Sequence, residues 1–198
     1  MTMTSSRQDK PPPAARDDDL WDALRRQEPA AIGELFSRYA DVVHAYAVRH
    51  TGSYAYADDA VQATFVTAWR VFSRSDPGPL QHDSARPWLL AIARNELRNI
   101  TRARRRLTAF LLRQPAPLHQ PDHAEAVAAR VDSEKHIQSV RAALSALPAH
   151  ERETVELVYW AELSLADAAA VLGVAEGTVK SRLSRARRRL PTLLEDNR

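Results

Sequence analysis

Cysteine is absent from the chain, which excludes disulfide bridges and thiolate metal sites. No apolar run is long. The longest, PWLLAIA from Pro87 to Ala93, falls far short of the ~20 residues a membrane-spanning helix needs. The opening segment MTMTSSRQDKPPPAARDDD contains no apolar stretch that could act as a signal peptide. Together these absences fit a soluble protein of the reducing cytoplasm. Glycine is scarce, at 5, and β-branched and aromatic residues do not alternate with polar ones, which argues against a sheet.

Catalytic signatures are missing as well. There is no Walker loop, no zincin motif and no clustered set of carboxylates. His119 and His123 are four apart but lie in a proline-rich stretch where no helix aligns them. His44 and His50 are six apart and do not share a helix face. A metal-dependent nuclease is the enzyme reading these histidines invite, and nothing else supports it. No metal, no cofactor and no catalytic residue is therefore expected, and the chain reads as a non-enzyme.

What the chain has is helix-forming residues and unevenly placed charge. Ala, Leu, Arg and Glu dominate, and 44% of residues are apolar, enough for a packed core and a mixture that favours helix over strand. The net charge of +3 conceals two basic segments. Arg86 to Arg106 holds seven Arg against one Glu, and Glu176 to Leu190 holds six basic residues against one Glu. The rest of the chain is acidic. Such segments are either solvated helix faces or two contacts with a polyanion.

Residues 1–16, polar and with three consecutive prolines, read as a disordered tail. Helical periodicity then predicts helices over about 18–27, 29–51, 56–73 and 86–106. Pro29 suits a first helical turn, and Pro77, Gly78 and Pro79 mark a loop before Pro87. The third helix carries a core stripe of Val61, Phe65, Ala68 and Phe72, and the fourth one of Leu90, Ala93, Leu97 and Ile100. Residues 108–130 lose periodicity and read as a flexible linker. Four further helices are expected over about 131–146, 149–161, 165–172 and 176–190. The expected fold is all-α, with two small helical bundles, 17–107 and 131–195, joined by the linker.

The last two helices have the form of a helix-turn-helix. Ser164 and Asp167 resemble a capping box, and Gly173 suits a left-handed C-cap. Val179, Leu183, Ala186 and Leu190 share one face of the final helix. Ser181, Ser184, Arg185 and Arg188 lie opposite, with Lys180 and Arg182 on the flanks. Small Ser side chains permit close approach to a major groove. Arg can donate two hydrogen bonds to guanine, and the flanking cations can grip phosphate.

On the fourth helix, Asn95, Arg98, Arg102, Arg105 and Arg106 form a second polar and basic stripe. Asn95 is either a reader of base edges or a surface amide. Trp88 fits core packing better than base stacking. On the third helix, Asp58, Asp59, Gln62, Val66 and Trp69 lie beside or away from the core stripe. Trp69 is either part of a protein-binding face or folded back into the core.

Three segments then resemble a known family: ADDAVQATFVTAWR, RPWLLAIARNELRNITRARRR and LSLADAAAVLGVAEGTVKSRLSRARRRL. They resemble, in order and spacing, bacterial RNA polymerase sigma factors of the extracytoplasmic-function (ECF) group of the sigma-70 family. The resemblance implies that Asp58, Asp59, Gln62 and Trp69 meet the polymerase core, with Phe65 in the fold's own interior. It implies that Asn95, Arg98 and Arg102 act on the −10 promoter element, and that the loop from Ser75 to Ala85 captures an unstacked base. It implies that Thr178, Lys180, Ser181, Arg182, Arg185 and Arg188 lie on the helix that reads the −35 element. RNA polymerase core and promoter DNA are the implied partners, and an anti-sigma factor is a further one. Ala168 and Ala175 depart from the family pattern, which has a larger aliphatic residue and a capping residue there. The base-capturing loop has no aromatic residue before Pro87, so its base-holding side chains stay open. The competing reading is an autonomous helix-turn-helix regulator, which would bind duplex DNA specifically without polymerase.

Overall fold

The computed structural model describes residues 16–111, 140 and 142–195. Four helices form the N-terminal bundle: α1 (Asp17–Arg25), α2 (Pro29–Thr51), α3 (Tyr54–Arg74) and α4 (Arg86–Leu111). Residues 142–146 are helical and lead into α5 (Ala149–Val155), a π-helical turn (Glu156–Trp160), α6 (Leu165–Leu172) and α7 (Glu176–Glu195). No strand occurs among the described residues. No helix is long and apolar enough to cross a membrane among the described residues.

Local chemistry sets the helix ends. Three Asp residues occupy the first turn of α1, where the helix dipole favours negative charge. Pro29 opens α2, and Gly52 closes it with φ 71°, a conformation costly for any residue with a Cβ. Ser53 caps α3 by accepting from the Tyr56 N–H. Ser164 caps α6: its Oγ accepts from the Asp167 N–H at 3.0 Å and donates to the Asp167 carboxylate at 2.7 Å.

The expected stripes are the core. Val61, Phe65, Ala68 and Phe72 are all buried against α2 and α4, as are Leu90, Ala93 and Leu97. Ile100 packs half-buried beside them. Trp88 sits edge-on to Trp21 and Phe72, at 4.9 and 5.5 Å between ring centroids. Ala168, the residue smaller than the family pattern, is fully buried.

Two helices outrun the sequence expectation. α4 continues through Thr108 to Leu111, because nothing in LTAFL breaks a helix, so it enters the stretch expected to be linker. α7 continues past Pro191 to Glu195. Proline there removes one backbone donor, while Leu193 beyond it still packs on the core. The expected tail over 1–15, the linker from residue 112, and the expected helix over 131–139 lie outside the described residues.

One buried carboxylate ties the first bundle together. Asp17 accepts from the Tyr39 hydroxyl, from Arg38 and, at 2.7 Å, from the Ala85 N–H that precedes α4. Burial opposes its ionisation, but the hydrogen bonds from Tyr39, Ala85 and Arg38 prevail and hold its pKa below the ordinary 3.8. Burial and the Asp17 carboxylate push the Tyr39 phenol up to about 12. A lowered carboxyl pKa contributes stability above its ordinary value and loses it as pH falls through the lowered one. Asp17→Asn is expected to cost about 1–3 kcal/mol in urea unfolding near neutral pH and to flatten the acid limb of the stability curve. An unchanged acid limb would show that other carboxylates govern it.

Candidate nucleic-acid and polymerase interface

The helix-turn-helix forms as the sequence patterning requires. Gly173 adopts φ 66°, and the Val174 N–H donates back to the Ala169 carbonyl at 3.0 Å, the bond pattern of a helix closed by a left-handed residue. Val179, Leu183 and Ala186 are buried and Leu190 is half-buried. Lys180, Ser181, Ser184 and Arg188 are exposed on α7, and Thr178 and Arg182 are half-exposed. Lys180 forms an ion pair with Glu176 one turn back, at 2.8 Å. A helix with one face fastened and the other lined by small and cationic side chains fits a major groove.

Arg185 departs from the purely outward position expected for it. Its Nε donates to Glu151 Oε1 at 3.2 Å, and Arg189 Nη1 donates to Glu151 Oε2 at 3.0 Å. Glu151 is almost wholly buried, at 1% exposure. Arg185 therefore holds a buried charge as well as bordering the outer face.

Asn95, Arg98 and Arg102 are exposed along α4. Arg98 is already engaged, however: its Nε lies 3.3 Å from Glu153 Oε1. Arg94, one turn earlier, donates to Glu153 Oε2 from Nε at 3.1 Å and from Nη2 at 2.8 Å. Arg102 has no carboxylate partner among the described residues. Arg104 lies over the Tyr56 ring at 5.0 Å.

The Arg94 and Arg98 contacts to Glu153 lie on a seam between the two bundles that sequence reasoning missed. His50 Nδ1 is 2.7 Å from Glu156 Oε2, both side chains being buried. Arg49 donates to the Trp160 carbonyl at 2.9 Å and lies over its ring. His82, in the loop before α4, meets Asp167 at 2.7 Å. The π-turn is part of the seam because it supplies Glu156 and Trp160 to these contacts. A cavity of about 760 Å³ runs beside the seam, with Arg49, Arg104, Arg105 and Arg152 among its lining residues.

The third feature is on α3. Asp58, Asp59 and Gln62 are exposed, and Trp69 is half-buried, between the two positions its sequence allowed. Asp58 also meets His44 at 3.1 Å. Val66 on α3 and Phe36 on α2 are exposed large apolar side chains, at 40% and 47%. Phe36 stands edge-on to the buried Phe65, 4.9 Å between centroids. Acid at one end, then amide, apolar surface and tryptophan make a strip of the composition that suits protein docking. Phe36 was missed because its neighbours in sequence gave no sign that it borders α3.

A cationic helix on each of two bundles, one of them in a helix-turn-helix, defines a DNA-binding protein, and the α3 strip adds a candidate docking face. Residues 35–107 match Sigma-70 region 2, and residues 137–190 match Sigma-70, region 4. The chain is 35% identical to the ECF RNA polymerase sigma factor SigL of Mycobacterium tuberculosis (strain ATCC 25618 / H37Rv), covering 85% of this chain and 92% of that one. It is 34% identical to the ECF RNA polymerase sigma factor EcfG of Rhodopseudomonas palustris (strain TIE-1), covering 88% and 87%. The structure is similar to CnrH solved in complex with the cytosolic domain of CnrY, with a TM-score of 0.66, 26% identity and coverage of 92% and 99%. It is also similar to the sigma factor RpoE solved with the anti-sigma factor NepR from Bartonella quintana, with a TM-score of 0.58, 29% identity and coverage of 84% and 98%. The chain belongs to the ECF sigma factors of the sigma-70 family. It is an RNA polymerase sigma factor, and its partners are the polymerase core and promoter DNA.

Glu153 is the testable centre of the seam. Glu153→Ala is expected to leave Arg94 half-buried without its counter-ion and to lower the melting temperature measurably, since breaking one side of a buried pair costs ~3–5 kcal/mol. Glu153→Leu, which fills the space, should cost less with Arg94→Leu present than alone. Additive effects in this double-mutant cycle would show that the two side chains are not coupled.

Proposed function

We propose a residue-level division of labour for this sigma factor. α4 handles the −10 element through Asn95, Arg98 and Arg102. α7 reads the −35 element through Thr178, Lys180, Ser181, Arg182, Arg185 and Arg188. Asp58, Asp59, Gln62 and Trp69 meet the polymerase core, joined by Phe36 and Val66. The observation that carries the reading is the exposed cationic face of α7 on a fastened helix-turn-helix, paired with a second such face on α4. The domains follow as a sigma region 2 unit from residue 17, extended to the end of α4, and a region 4 unit ending near residue 195. The protein performs no catalysis itself and works in the cytoplasm, where promoter DNA and polymerase are. An anti-sigma factor is a proposed partner, supported by the two similar structures, whose sigma factors were solved with CnrY and with NepR.

Charge decides how the pieces work together. Arg98 turns only its Nε toward Glu153 and stays about half exposed, so its remaining donors can meet a DNA phosphate, and parting of the seam would free the rest of the guanidinium. Two separate weak contacts on one chain then gain through effective concentration.

Transcription reconstituted from core polymerase, this protein and a genomic template, with start sites mapped, tests the reading. Discrete start sites sharing −10 and −35 sequences are expected; specific duplex binding without polymerase would favour the autonomous regulator instead. Trp69→Ala is expected to weaken core binding at least about tenfold, roughly 1.4 kcal/mol, while leaving the start sites unchanged. Arg188→Ala should weaken −35 binding by ~1–3 kcal/mol in a sequence-dependent way if it contacts a base pair. Arg185→Ala should weaken the same binding and also lower thermal stability, because Glu151 loses a partner. Equal loss on every promoter would reduce either arginine to a phosphate contact.

A further inference from the structure

We propose that α1 is part of the −10 specificity element, with Asp17, Trp21 and Arg25 as positioning residues for the loop over 75–85. The inference rests on the reading that this loop captures an unstacked base. α1 precedes the segment matched to region 2, which begins at residue 35.

Asp17, Trp21 and Arg25 recur every four residues and so share one face of α1. Each holds a different part of the loop. Arg25 donates to both carboxylate oxygens of Asp76, each at 2.7 Å, at the loop's start. Trp21 Nε1 donates to the Gly78 carbonyl at 2.8 Å, at its turn. Asp17 accepts from the Ala85 N–H at its end. The turn is further set by Asp76, whose Oδ1 accepts from the Gly78 N–H at 2.9 Å, and by the positive φ of Gly78, 76°. The Arg25 guanidinium and the Gly78 N–H together hold the Asp76 carboxyl down at about 2. A loop without regular structure that is pinned at three points has had its ordering entropy met in advance.

Behind the loop is a cavity of about 250 Å³, lined by Trp21, Leu80, Gln81, His82 and Trp88 among others. It is slightly smaller than the ~300–1,000 Å³ of ordinary small-ligand sites, a scale suited to one nucleobase. The loop has no aromatic residue of its own before Pro87. Its apolar wall comes instead from α1 and α4, through Trp21 and Trp88, whose rings pack edge-on. Gln81 and His82 bring hydrogen-bonding groups to the same space. A site that reads a base through hydrogen bonds tolerates only about 0.5 Å of error in its groups, so whatever fixes the loop fixes the reading. In this arrangement α6 lines the cavity too, through Ala170 and Val171.

The Arg25–Asp76 pair allows specificity to be separated from stability. Both side chains are partly exposed, and surface pairs contribute little to global stability. The experiment uses the full chain with core polymerase and templates randomised across the −10 segment of a mapped promoter. Arg25→Ala and Trp21→Phe, which keeps a ring but removes the N–H, are each expected to reduce the preference at one −10 position about five- to tenfold. Core affinity should be unchanged in both. Arg25→Lys, which keeps a cationic donor for Asp76 and leaves the Asp76–Gly78 bond intact, should retain most of the preference. Wild-type preferences in both variants would overturn the proposal, as would a loss of transcript with preferences unchanged, which marks a merely structural role. A wild-type protein with no preference anywhere in the window would instead overturn the base-capture reading, and this proposal with it.

Discussion

Three carboxylates within six residues of α5 and the π-turn, Glu151, Glu153 and Glu156, are buried to between 1% and 6% exposure. A carboxylate removed from water is costly unless paired or hydrogen-bonded, so arginine and histidine side chains converge on this short segment. Glu151 takes Arg185 and Arg189 from α7, Glu153 takes Arg94 and Arg98 from α4, and Glu156 takes His50 from α2 and Arg152 from its own helix. Glu151 fixes the recognition helix within its own unit. Glu153 and Glu156 fix that unit to the other bundle. One helical segment therefore sets both the tilt of α7 and the placement of the helix-turn-helix over α4.

The consequence is that the two cationic faces do not have the same freedom. On α7, Lys180, Ser181 and Arg188 make none of the seam contacts, while Arg185 and Arg189 both reach buried Glu151 and stay about half exposed. On α4 the seam takes Arg94 and Arg98 but leaves Asn95 and Arg102 exposed. Its docking strip on α3, by contrast, involves no residue of the seam contacts described. On the proposed assignment, polymerase can meet α3 whether or not the seam is closed, while freeing every donor of Arg94 and Arg98 needs it open. That asymmetry suits a factor that joins polymerase first and promoter afterwards.

Much of this was legible in the sequence, for a physical reason. Stripes such as Val61, Phe65, Ala68 and Phe72 announce a helix because burial of one face imposes its period, and Gly173 announces a turn because of its positive φ. The cationic face of α7 and the acidic start of the α3 strip followed from the same periodicity. The seam was not legible. HERETVE reads as an ordinary charged surface helix, and nothing local distinguishes a solvated Glu153 from one buried against Arg94, 59 positions away. The hold of α1 on the loop is equally remote, linking Trp21 to Gly78. Helix ends failed for a smaller reason: a proline and a shift in composition suggested boundaries that continued packing, at Leu193, or simple propensity, at Leu107 to Leu111, carried the helix across.

The choice of cation shows why such a seam can be both firm and reversible. Arginine supplies nearly all the positive charge; Lys180 is the one lysine among the described residues. The guanidinium presents a planar fork of donors that matches carboxylate and phosphate oxygens alike, and it is less strongly hydrated than an ammonium. Glu153 therefore offers Arg94 and Arg98 the same acceptor geometry that a nucleic-acid backbone offers. Exchanging one for the other requires no change in the arginines' own shape, only in what stands before them. With lysine in these positions the two partners would differ more, since a compact ammonium binds each as a point charge and must be dehydrated for the buried one. An arginine surface closed by glutamate is thus already built for phosphate while it is still occupied by protein.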